Sequence, residues 1–316
     1  MARTEGRHSV RPMFQTILIG YDGPERGGEA TALAEALRDP RTGTLLLTSA
    51  YPLASLMVGG FVVPEEIEDL GDETKAMLAE ARDALRTPAR VQIRAVPSDS
   101  PARALTEVAE AEHADLVVVG SSHRSALGRL LPGTTAERLL HDAPCAVAVA
   151  PRGYSGGNIR RIGVAYDGSP EADAALRAAE SLALELSASL TVYCVVEPSS
   201  PSAGMIAAGT GAEWPAHAAK ERACDLLSGV VDDAPQRLRP ETLLLHGVPA
   251  DEIAGRAYGV VDLLFVGSHG YGPLRRALLG NVSGALVRAA GCPVVVTPRT
   301  AVAPRRTEAP AATATA

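Results

Sequence analysis

The sequence predicts an α/β protein made of two tandem copies of one domain, each a five-stranded parallel sheet with helices on both faces. Three observations carry that prediction: passages that recur in order, apolar runs without polar alternation, and stretches of helical spacing between the runs. TILIGYDG at Thr16–Gly23 returns as RIGVAYDG at Arg161–Gly168, and ADLVVVGSSH at Ala114–His123 returns as VDLLFVGSHG at Val261–Gly270. APCAVAVAP, ending at Pro151, matches GCPVVVTP, ending at Pro298. Asp22 therefore maps onto Asp167 and Gly120 onto Gly267, offsets of 145 and 147 residues. That period is too long for a solenoid and is the size of a whole domain.

The expected strands of the first copy are Thr16–Tyr21, Thr44–Ala50, Val91–Val96, Leu116–Gly120 and Ala146–Ala150. Those of the second are Ile162–Tyr166, Leu190–Val196, Thr242–His246, Leu263–Gly267 and Val294–Thr297. Continuous runs such as LVVVG and LLFVG are what strands covered on both faces look like, so helices should sandwich the sheet. Ser169, Pro170 and Glu171 form a helix start, a capping serine followed by proline in the first turn, and helical spacing continues to Leu186. The domains are expected over 14–151 and 159–299, joined by the glycine-rich linker 152–158. Residues 1–13 and the low-complexity tail 300–316 are expected to be disordered.

The 316 residues suit about two domains. With 46% hydrophobic but only 3% aromatic residues, the core must be built of Ala, Val and Leu. A net charge of −7 gives no positive field for a phosphate backbone, and scarce rings leave little for base stacking, so no nucleic-acid partner is expected. The polar N-terminus lacks a signal-peptide pattern. The longest apolar run, Leu53 to Val63, is about half a membrane span and is broken by Gly59 and Gly60. A cytoplasmic protein without a membrane segment is the expectation. Cys145, Cys194, Cys224 and Cys292 stand far apart with no CxxC, which reads as small buried hydrophobes with no protein-bound metal.

Ligands of open parallel sheets bind beyond the carboxyl ends of the strands. The first strand is followed by Asp22 or Asp167, and the fourth by glycine loops. In the second copy that loop runs Gly267, Ser268, His269, Gly270, nine residues, then Gly280, Asn281, Val282 and Ser283. Glycines allow close backbone approach to phosphate, and a helix opening near Asn281 would offer free amides. Tight strand-to-helix turns also use glycine, and Asp22 and Asp167 fit helix caps as well as ligand contacts. The dinucleotide fingerprint, with glycines after the first strand, is absent, as is the Walker lysine. His246 and His269 flank the expected cleft, yet linear spacing assigns no catalytic arrangement or general base.

These residues resemble the universal stress proteins in tandem form, over almost all of the chain between Thr16 and Pro298. ATP-binding members carry Gly-x2-Gly-x9-Gly-Ser/Thr after the fourth strand, matched in the second copy by Gly267, Gly270 and Gly280. The resemblance implies a bound ATP, with magnesium if any metal. Asp167 would face the adenosine, Val195 border the adenine, and Gly267, Gly270, Gly280, Asn281, Val282 and Ser283 hold phosphates, with Ala165 and Val266 lining the site. Asn281 departs from the usual Ser or Thr, although its amide remains and Ser283 offers a hydroxyl nearby. The first copy supplies Gly20, Asp22, Ala50, Val119, Gly120, Gly133, Thr134 and Thr135, with His123 in place of the second glycine. The family also implies pairing of domains through their fifth strands, between two chains or within one. The function expected is a nucleotide-dependent stress-response regulator with at most slow ATP hydrolysis. A nucleotide-independent scaffold is the alternative, and a pyrophosphatase is disfavoured because SGGxDS is missing after the first strand.

Overall fold

The computed structural model describes residues 13–52, 57–58, 61–62, 64–86, 90–121, 134–198, 215–268 and 281–298. The first half runs β1 (Thr16–Gly20), α1 (Pro24–Leu37), β2 (Thr44–Tyr51), the two-residue strands β3 (Met57–Val58) and β4 (Phe61–Val62), α2 (Pro64–Asp83), β5 (Val91–Pro97), α3 (Pro101–Ala111), β6 (Leu116–Gly120), α4 (Thr134–Asp142) and β7 (Ala146–Ala150). The second runs β8 (Arg161–Ala165), α5 (Pro170–Leu186), β9 (Ser189–Val196), α6 (Pro215–Asp233), β10 (Glu241–His246), α7 (Pro249–Ala257), β11 (Leu263–Gly267), α8 (Asn281–Ala289) and β12 (Val294–Thr297). Proline opens α1, α2, α3, α5, α6 and α7, where its missing N–H would be unbonded in any case. Ser169 caps α5 by accepting the Ala172 amide at 3.2 Å, and Ser100 accepts that of Arg103 at 3.4 Å at the start of α3.

Five parallel strands form each half, with order β5-β2-β1-β6-β7 in the first and β10-β9-β8-β11-β12 in the second. The halves are fused into one ten-stranded sheet because β12 pairs antiparallel with β7, placing Val294 beside Val149, Val295 beside Ala148 and Val296 beside Val147. The strands of the two halves therefore run in opposite directions. Their carboxyl edges, where ligands of such sheets bind, lie at opposite ends of the sheet.

Alternate residues of the continuous apolar strands supply two cores, one on each face. On one face α1, α2, α5 and α6 contribute Leu33, Leu78, Ala179 and Leu227, and the core crosses the seam through Ala148 and Val295. On the other, α3, α4, α7 and α8 contribute Leu105, Leu139, Ile253 and Leu286, with Val147 and Val296 at the seam. Small side chains let helices lie close to the sheet, which is how so few aromatic residues suffice. Cys145, Cys194 and Cys292 are buried as expected, whereas Cys224 is exposed. It follows buried Ala223 on α6, and the helical turn carries it off the apolar stripe to the outer face.

The aspartate that opens each fourth-strand motif has a structural task. Asp115 accepts the amides of Gln15 and Thr16, both at 2.9 Å, and Asp262 those of Arg160 and Arg161 at 2.9 and 3.0 Å. Asp262 also receives the Arg161 guanidinium at 2.7 Å. Burial alone would raise the Asp262 carboxyl, but these hydrogen bonds outweigh it and hold the group below the usual range. A further tie crosses between the halves, the Met13 amide donating to Glu185 at 2.9 Å, and the Gly153 amide fastens the linker to Glu29 of α1 at 3.2 Å. Among the described residues no helix is long and apolar enough to cross a membrane.

Candidate functional site

Strand order reverses between β8 and β11 in the second half and between β1 and β6 in the first, the switch points beyond which ligands of open parallel sheets bind. In the second half Ala165, the last residue of β8, lies beside Val266 of β11, and both are buried. One residue on, the Tyr166 amide donates to the Tyr193 carbonyl at 2.8 Å, and then exposed Asp167 stands at the mouth. Val195, near the end of β9, is half-buried beside Leu245 of β10. Ser268, which follows Gly267, is buried, and α8 opens with exposed Asn281, half-buried Val282 and buried Ser283.

Asp167 does not cap the helix that follows it, since Ser169 takes that task for α5, and Gly23, with φ at +82°, stands at the cap position of α1. Asp167 accepts the Ser169 amide at 3.0 Å, a local turn that fixes the carboxylate while leaving it open to solvent. Tyr166 points onto the α5 and α6 face and donates its hydroxyl to Asp173 at 2.8 Å. Burial, then that bond and the charge of Asp173, push the phenol well above its ordinary range, so Tyr166 is a fixed neutral donor.

Gly267 answers to a packing demand. A Cβ built on it would stand 2.6 Å from the carbonyl carbon of Glu171, 2.7 Å from its oxygen and 2.8 Å from the Ala172 nitrogen. The missing side chain is what lets the first turn of α5 lie against the end of β11. That close approach also brings the amide-rich, electropositive end of α5 to the crevice. Buried Glu171 sits in the same turn.

In the first half Gly20 ends β1 beside β6, where a Cβ would meet Leu105 at 2.9 Å and Val119 at 3.0 Å. Asp22 is exposed beyond it, Ala50 is half-buried on β2, and buried Val119 precedes Gly120. Thr134 and Thr135 open α4. Ser121, the counterpart of Ser268, is buried and its hydroxyl has no hydrogen-bond partner among the described residues. His123, Gly133, Gly270 and Gly280 lie outside the described residues. The structure thus gathers Ala165, Asp167, Val195, Val266, Gly267 and the start of α8 at one sheet edge, and their first-half counterparts at the opposite edge.

Sequence reasoning assigned no task to Tyr166, Asp173, Ser121 or Ser268. The repeat itself held a signal for three of them, since Tyr and Ser recur at matching positions in both copies. Asp173 had none, because its counterpart in the first copy is Gly28.

The model of the universal stress protein family matches the chain twice, over residues 13–151 and 158–298. The universal stress protein Rv2319c of Mycobacterium tuberculosis is 27% identical over 305 residues, covering 90% of this chain and 99% of its own length. A universal stress protein from Thermus aquaticus is 30% identical over 135 residues, 43% of this chain and 97% of its own. The crystal structure of a universal stress protein from Archaeoglobus fulgidus shares the fold, with a TM-score of 0.64 at 18% identity over 90% of this chain and 98% of that one. With both halves matched in full, the chain belongs to the universal stress protein family, in its tandem two-domain form.

Proposed function

We propose that the second half binds an adenine nucleotide, ATP with its magnesium, beyond the carboxyl ends of β8, β9 and β11. The observation that carries this reading is the convergence there of exposed Asp167, half-buried Val195 and the start of α8 at Asn281. Asp167 accepts ribose hydroxyls, Val195 borders the base, and the segment from Gly267 through Gly270 to Gly280, Asn281 and Ser283 receives the phosphates. Magnesium enters with the phosphates, whose oxygens supply its ligands. Nucleotide occupancy changes the affinity for a partner in a cytoplasmic stress response. With each fifth strand already paired to the other, the chain works as a monomer of two joined domains.

The test at Asp167 is direct. Asp167→Ala is expected to weaken ATP binding about tenfold, the worth of one charge-assisted hydrogen bond, with an unchanged melting temperature in the absence of ATP. Unchanged affinity would remove Asp167 from the site.

A further inference from the structure

A groove of about 830 Å³ opens between α5 and α6 on the outer face of the second half. Its floor is apolar, formed by Leu176, Leu226 and Val230, and Gly229 leaves open space where a side chain would stand. Asp173 and Asp225 line it, as do Glu180 and Asp233, against only Arg177 and Arg222. Four acids against two bases leave the groove net negative. None of these six side chains forms an ion pair with another described residue. Burial raises the Glu180 carboxyl and the nearby charge of Asp233 adds to that, with Arg177 opposing. A cation entering here would relieve this repulsion.

The chain carries a segment of complementary character. Residues 299–316 hold Arg299, Arg305 and Arg306 against the single acid Glu308, with Val302 and three nearby alanine or proline residues ahead of the arginine pair. That segment leaves β12 from its carboxyl end, the edge at which Tyr166 and Asp173 open the groove. β12 and β9 are three strand spacings apart, about 14 Å. The seven residues that follow Pro298, through Arg305, span up to about 24 Å when extended, so the arginine pair reaches the near end of the groove.

We propose that the C-terminal segment 299–316 docks in the α5–α6 groove, with Val302 on the apolar floor and Arg305 and Arg306 against its carboxylates. The groove is then an intrachain docking surface, and Tyr166 in its lining sets it next to the candidate site. The inference stands on groove and segment alone and holds whether or not ATP binds.

The test uses a fluorescent peptide of residues 299–316 and a chain ending at Pro298, which retains every residue of both cores. The peptide is expected to bind the shortened chain saturably and the intact chain about tenfold more weakly, because the intact chain's own segment competes. Asp173→Asn with Asp225→Asn in the shortened chain is expected to weaken binding about tenfold, as is raising the salt. Should the shortened chain fail to fold, the intact chain carrying Arg305→Glu and Arg306→Glu takes its place. No saturable binding, equal binding to the intact chain, or indifference to the aspartate substitutions would overturn the proposal. Equal binding of a scrambled peptide would assign the groove to cationic segments at large. Dimerisation of the shortened chain that the same substitutions abolish would assign it to a second copy, and both outcomes refute intrachain docking.

Discussion

Gly267 and Glu171 meet backbone to backbone, with the position of a Gly267 Cβ only 2.6 Å from the Glu171 carbonyl carbon. Real Cβ atoms do not approach a carbonyl carbon so closely, and neither partner is the movable end of a side chain. Gly267→Ala must push the first turn of α5 off the end of β11. The expected cost is about 1–3 kcal/mol of stability, read from the urea midpoint at constant slope. Gly255→Ala serves as the control, since nothing lies within 4 Å of its added Cβ on α7; it is expected to gain about 0.5–1 kcal/mol. If both variants lose stability equally, the contact with Glu171 is not what requires a glycine.

Thr297 at the end of β12 is fully buried and its hydroxyl has no hydrogen-bond partner among the described residues. Valine has nearly the same shape and leaves no polar atom to desolvate. Thr297→Val is expected to match or exceed the wild type, by up to about 1 kcal/mol. A loss of that size in the thermal midpoint would mean that the hydroxyl is bonded in solution, through a water.

The cysteines make a prediction about pH. Burial pushes the Cys145 and Cys292 thiols up from 9.0 to about 12, with Asp115 and Asp262 adding to the effect. In the unfolded chain these thiols lose their protons near pH 9, while the folded chain retains them to about pH 12. The folded state then binds more protons, so stability falls as pH rises through that interval. Cys145→Ala with Cys292→Ala should flatten the alkaline limb of the stability profile, whatever its effect at neutral pH. In native protein a thiol reagent should modify Cys224 alone, with the other three reacting only on unfolding. Fast reaction of more than one thiol would contradict the burial.

Ten strands were legible in the sequence to within one residue at every boundary, because LVVVG, AVAVA and LLFVG are apolar throughout and flanked by turn residues. The short ladder of Met57 with Val62 and Val58 with Phe61 was not, since two-residue strands carry no periodicity. Nor could periodicity show that β7 and β12 join the halves into one sheet, as an apolar edge strand and an apolar central strand read alike. At the site the repeat exposed Asp167 and Gly267 as positions of interest but did not disclose the packing demand on Gly267. The sequence shows that a side chain is missing and not what occupies the space, and here that is the backbone of Glu171. Tyr166 was hidden for a related reason: its hydroxyl partner Asp173 lies a helical turn inside α5, with no counterpart in the first copy.

The central claim is a nucleotide site in the second half, and its most direct test is a calorimetric titration of ATP with magnesium into the wild type and Gly270→Trp. One site per chain in the wild type, abolished by the substitution while the fold melts as before, is the predicted result. A wild-type chain that takes up no ATP, or a Gly270→Trp chain that still binds one ATP with unchanged affinity, would contradict it.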